Sequence, residues 1–125
     1  NHALDFIIRY SKKGSGGEVF IPKLKAYSLE VLKDAIIEVL EKDVKTEIIS
    51  VRPGEKYHES LISNEETRNT FEDNEDYVIL EDRLQENNKR KKSSLVSQYS
   101  SDKVELLTKE ELKKILIEEK LLPIK

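Results

Sequence analysis

Arg52-Pro53-Gly54-Glu55 is the tetrad of this sequence best suited to chemistry. Proline in second place and glycine in third mark a type II turn, because glycine takes the positive φ required there. Such a turn brings its end residues within about 7 Å at Cα, so a guanidinium and a carboxylate stand side by side. A guanidinium can bracket a phosphate with two parallel N–H bonds, and a carboxylate can accept from neighbouring hydroxyls. The pair suits a sugar nucleotide, with the arginine on the diphosphate and the glutamate on the ribose. On the residues alone, a plain surface turn with a weak ion pair is the simpler reading.

Three other constellations resolve into ordinary structure. Gly14-x-Gly16 invites a phosphate-loop reading, but a dinucleotide fingerprint needs glycines between a strand and a following helix. Here they follow a helical pattern and precede a strand, so they read as a helix stop and connector. Tyr99-Ser100-Ser101-Asp102-Lys103 has the Tyr-x-x-x-Lys spacing of an acid–base pair, which works only when both residues share a helix face. It stands in serine-rich sequence with no dinucleotide fold before it, and the spacing reads as coincidence. Lys89-Arg90-Lys91-Lys92 is a basic run too short to outweigh a solvated loop. With no cysteine and with His2 and His58 far apart, no metal site is expected.

The elements that must position these residues follow from periodicity. Leu4, Ile7 and Ile8 fall at helical spacing over 3–10, and Gly14 to Gly17 stop that helix. Glu18 to Ile21 reads as a strand ended by Pro22. Ser28 is placed as an N-cap, and Leu32, Ala35, Ile36, Val39 and Leu40 form the apolar stripe of a helix packed on a sheet. A second strand is expected over 46–51, delivering the Arg52 turn to a ligand-binding sheet end. Ser63-x-x-Glu66 and Thr108-x-x-Glu111 are capping boxes, and Tyr77 to Leu80 is a third strand. Residues 65–76 hold six acids and one arginine, net −5, and read as solvated surface.

The fold class expected is α/β or α+β, short strands packed with two to four helices. Residues 1–80 would form a ligand-binding lobe, 81–94 a polar flexible loop, and 95–125 a C-terminal segment with a terminal helix. The 125 residues carry 25 Asp and Glu against 22 Lys and Arg, and the pI near 5.5 argues against nucleic acid as a partner. Apolar runs fall far short of the roughly 20 residues that span a bilayer. The chain opens mid-pattern at Asn1-His2-Ala3-Leu4, which reads as an excised piece of a longer protein.

Gly17-Glu18-Val19-Phe20-Ile21-Pro22-Lys23-Leu24 and Val51-Arg52-Pro53-Gly54-Glu55-Lys56-Tyr57-His58-Glu59 resemble the C-terminal portion of UDP-N-acetylglucosamine 4,6-dehydratases. These are extended short-chain dehydrogenases of capsule, polysaccharide and flagellin-sugar biosynthesis. Leu106-Leu107-Thr108-x-Glu110-Glu111-Leu112 is similar to that family's terminal helix. The resemblance implies a small substrate-binding lobe lacking the Rossmann half, with Arg52 on the UDP diphosphate and Glu55 on the uridine ribose. Lys23, Lys56, His58 and Glu59 also match family positions, without assigned contacts. No catalytic residue is expected in this chain, since the family's NADP-binding turn and catalytic pairs belong upstream. The resemblance further implies a lyase of the cytoplasm, homo-oligomeric when complete, its NADP held by the missing N-terminal half. A UDP-sugar 4-epimerase and a non-catalytic nucleotide-sugar-binding or oligomerisation module are the rival readings.

Overall fold

The computed structural model describes residues 2–123. Asn1 and the last two residues of the expected 95–125 segment lie outside the described residues.

Helix α1 (His2–Lys13) runs three residues past the expected 3–10 span and ends where Gly14 N–H donates to Tyr10 O at 2.8 Å. β1 (Glu18–Pro22) follows, then α2 (Leu29–Leu40) behind Ser28 at its N-cap. β2 (Ser60–Ile62) leads through a 3₁₀ turn, Glu66–Asn69, into the hairpin β3 (Thr70–Asp73) and β4 (Asp76–Leu80). The one-turn helix α3 (Asp82–Gln85), β5 (Tyr99–Ser100) and α4 (Lys109–Glu118) complete the order. The strands pair antiparallel as β1-β4-β3 and β2-β5. This is the mixed α/β class expected, with its antiparallel pairing on the α+β side.

Central strand β4 is buried on both faces. One face carries Tyr77, which joins Ile21, Ile62 and Tyr99 in a core completed by Ile79, Leu95 and Val104. The other face meets α1, where the Tyr10 ring stacks on Phe20 at 4.0 Å and its hydroxyl donates to Asp76 Oδ2 at 2.7 Å. A second cluster forms between α2 and α4 from Ala35, Leu112 and Leu116. The chain after β1 joins it through Ala26, whose carbonyl accepts from Leu107 N–H at 2.8 Å.

Three expectations fail. The apolar stripe of α2 packs on α4 and not on a sheet, because Leu112 and Leu116 supply the facing apolar surface. No strand forms over 46–51: residues 42–52 carry no regular structure. The β pattern is present, but no strand among the described residues lends it an edge, and strand preference is realised only through pairing. The acidic stretch is also not simply a solvated surface. Asp73 and Asp76 are buried, because Lys13 and Arg90 pair with the first and Arg9 with the second. The 81–94 segment, besides α3, extends the sheet edge: Glu72 N–H donates to Lys91 O and Ser93 N–H to Thr70 O. Lys92 of the basic run donates to Arg68 O and lies over the Phe71 ring at 4.4 Å.

Candidate functional site

An open cleft of about 410 Å³ lies where three stretches of chain converge. Leu24 to Tyr27 form one wall, Leu61 and Val104 the apolar lining, and Tyr57, Glu59, Ser100 and Ser101 the opposite rim. Tyr99 stands between them. Its hydroxyl accepts from Leu24 N–H at 2.6 Å and donates to Leu24 O at 2.8 Å, so it pins the first wall to β5. Tyr27 and Tyr57 are exposed at the mouth. Aromatic faces beside an apolar lining with hydroxyls and a carboxylate on the rim suit a flat polar ring, which would stack and accept a few hydrogen bonds.

Ser101 fixes that rim. Its N–H donates to Glu59 O at 2.9 Å, its Oγ accepts from Glu59 N–H at 3.1 Å, and His58 Nδ1 lies 3.3 Å from the same Oγ. Behind it the Ser100 hydroxyl donates to Asp102, which holds that carboxyl below its usual range. Lys25, on the other wall, is shared by Glu105 and Glu111, each at 3.1 Å. These hydrogen bonds raise the ammonium's pKa, so it stays charged and engaged.

The Arg52 tetrad makes the turn its residues dictate. Glu55 N–H donates to Arg52 O at 3.0 Å and Gly54 holds φ +86°, where any other residue would be strained. The carboxylate does not face the guanidinium: Glu55 Oε2 accepts from Arg52 N–H at 2.9 Å. The Glu55 carboxylate therefore braces the turn and keeps accepting capacity for a further donor. The turn lies in the exposed segment that continues into Tyr57 and Glu59 on the cleft rim. Of the remaining candidates, His58 and Glu59 are brought together by Ser101, and Lys56 is exposed. Lys23 points elsewhere, paired with Glu72 and lying over the Tyr77 ring at 4.4 Å. Burial opposes its charge, yet the Glu72 hydrogen bond prevails and raises its pKa.

Two motifs set aside on their sequence context can now be placed. Tyr99 sits on a two-residue strand with its hydroxyl held by Leu24, and Lys103 donates to Ser97 Oγ at 3.2 Å, so they share no proton. The glycine loop between α1 and β1 already encloses an anion. Ser15 N–H and Gly16 N–H donate to the Glu18 carboxylate at 3.0 and 2.7 Å, and the Ser15 bond leads the causes that lower its pKa. With its donors occupied and no helix opening from it, this loop does not fit the pyrophosphate of a dinucleotide. Among the described residues no three His, Cys, Asp or Glu side chains are grouped to hold a metal ion. Tyr99 is the cleft residue the sequence concealed, because its partner Leu24 lies 75 positions away.

Residues 1–81 match the polysaccharide biosynthesis protein family. The chain belongs to that family. Among its relatives, an uncharacterized membrane protein of Methanocaldococcus jannaschii is 34% identical, aligned over 94% of this chain and 36% of its own length. A UDP-glucose 4-epimerase of Rickettsia massiliae is 29% identical, aligned over 92% of this chain and likewise 36% of its own. Among solved structures, Pen from Bacillus thuringiensis superposes with a TM-score of 0.84 at 32% identity, covering 98% of this chain and 36% of Pen. The chain thus spans about a third of the length of these proteins. Among the described residues no helix is long and apolar enough to cross a membrane.

Proposed function

We propose that this chain is the nucleotide-sugar-binding part of a UDP-N-acetylglucosamine 4,6-dehydratase, with or without inversion at C5. The carrying observation is the Arg52–Glu55 turn, whose bracing by Glu55 fixes the backbone from which the exposed Arg52 side chain extends. In this reading Arg52 brackets the diphosphate, Glu55 accepts from the ribose, and the neighbouring tyrosine-walled cleft takes a ring of the ligand. The whole would work as a homo-oligomer in the cytoplasm, with NADP held by a dinucleotide-binding half outside these residues. That cofactor would supply the hydride chemistry, while this chain's part is grip, holding the sugar nucleotide in register for the loss of water across C5 and C6.

The test is calorimetry with plain UDP on the protein expressed from its own gene. Arg52→Ala removes a charge-assisted contact and should cost roughly 1.5–3 kcal/mol, about a 10- to 150-fold loss of affinity. Glu55→Gln keeps the shape and should lose less. Unchanged UDP affinity in Arg52→Ala would make the tetrad a structural turn and refute the assignment. A second reading, a UDP-sugar 4-epimerase, is favoured by the Rickettsia relative. Product mass separates the two: a dehydrated keto-sugar marks the dehydratase, an isomer of unchanged mass the epimerase. Neither product would mark a binding module.

A further inference from the structure

Every residue from Glu41 to Ser60 is exposed, and the Arg52 turn lies among them. Within this unit, hydrogen bonds must therefore decide where the turn sits. Among the described residues, the bonds that tie 43–59 to another element all end on Ser101. On the other side the nearest tie is Lys42 N–H to Ile37 O at 3.4 Å, just behind α2. Glu55 lies four residues from Glu59 and thirteen from Lys42. Four residues of extended chain span at most about 14 Å and thirteen about 45 Å, so the Ser101 end is the shorter leash on Glu55.

Ser101 makes this tie with both its backbone and its side chain. Its N–H donates to Glu59 O at 2.9 Å, a bond any residue but proline could make. Its Oγ accepts from Glu59 N–H at 3.1 Å, and that bond needs a hydroxyl on Cβ. With its proton turned to His58 Nδ1, 3.3 Å away, the hydroxyl has its donor used and is not left to hold a ligand. The neighbouring hydroxyls are spent elsewhere, Tyr99 on Leu24 and Ser100 on Asp102.

We propose that Ser101 is a positioning residue for nucleotide binding. Its hydroxyl, by holding Glu59 N–H, sets the Glu55 carboxylate at the point where it meets the ribose, without itself touching the ligand. This rests on the reading above, in which Arg52 and Glu55 hold UDP. It also gives the Tyr99–Lys103 run a use in binding geometry in place of proton transfer.

The test is UDP calorimetry and amide exchange on Ser101→Ala and Ser101→Thr, in the protein expressed from its own gene. Ser101→Ala should bind UDP roughly 2- to 12-fold more weakly, the measure of one neutral hydrogen bond. Its Glu59 amide should exchange faster while the melting temperature stays near the parent's, because the exposed Glu59 N–H can turn to water. Ser101→Thr keeps the hydroxyl and should restore affinity and protection together. In a Glu55→Ala background, Ser101→Ala should cost nothing further, since the residue it positions is gone. Losses that add would make Ser101 a direct ligand contact and overturn the proposal. Protection restored in Ser101→Thr without affinity overturns it too, as does a loss of affinity that follows a fall in melting temperature. Parental UDP affinity in Ser101→Ala beside a loss in Arg52→Ala overturns this inference alone. Parental affinity in both variants overturns the nucleotide reading, and this inference with it.

Discussion

Removing the Asp73 carboxylate should loosen the clasp between α1 and the β3–β4 hairpin. The side chain is 2% exposed and is met by Lys13 from α1 and by Arg90 from the 81–94 segment, the latter at 3.0 Å. Breaking a buried pair by deleting one partner costs about 3–5 kcal/mol, because a charge is left without its counter-charge. Here the orphaned cations are 37% and 29% exposed and can partly rehydrate, which favours the lower end, about 3 kcal/mol. Unfolding entropy of about 2.1 cal/mol/K per residue amounts to ~0.26 kcal/mol/K for this chain, so Asp73→Ala should melt roughly 11 °C lower. Calorimetric melts of Asp73→Ala, Lys13→Ala, Arg90→Ala and the corresponding double variants would resolve the pairwise couplings. Asp82→Ala, at an exposed site on α3, serves as the neutral control. High salt should change the difference little, since screening acts weakly on buried charge. A parental melting temperature in Asp73→Ala would refute the reasoning and leave α1 held by the Tyr10–Phe20 stack and by the contacts of Tyr10 and Arg9 with Asp76.

The Glu111 carboxylate is held at about 2 against its usual 4.5, first by the Thr108 N–H, then by Lys25 and the Thr108 hydroxyl. Because the native pKa is the lower one, the stabilisation is fully present above about pH 4.5 and is lost as pH falls towards 2. Carboxyl NMR should show Glu111 titrating there and the first turn of α4 fraying with it; titration at the ordinary value would contradict the cap. Tyr99→Phe leaves Leu24 N–H and C=O without their partner, and should cost about 1–3 kcal/mol and speed amide exchange at Leu24. Unchanged exchange would mean that the cleft wall is held by something else. Gly54→Ala, at φ +86°, should strain the turn by roughly 1–2 kcal/mol and weaken UDP binding alongside Arg52→Ala. An unaffected UDP affinity would separate the turn from the site.

What the sequence alone determined lies within one or two turns of chain. The Thr108/Glu111 capping box, the Ser63–Glu66 exchange, the Pro53-Gly54 turn and the apolar stripe of α2 are all present as their spacing requires. Each depends on groups three or four residues apart, so the partners are written next to each other. The Arg52 tetrad was legible for the same reason. The orientation of Glu55 was not, because a carboxylate in a turn can meet a side chain or an N–H, and spacing does not choose between them.

Tertiary structure decided everything that depends on distant partners. β5 is two residues long and becomes a strand only because β2 lies beside it. The 46–51 segment has the better β pattern and stays irregular for want of an edge. Asp73 and Asp76 belong to an acidic run, yet they are buried because cations brought from α1 and the 81–94 segment neutralise them there. The cleft likewise exists only once Leu24, Leu61 and Tyr99 are drawn together by the core. A side chain's character is local, but its burial and its partner are set by where the rest of the chain goes.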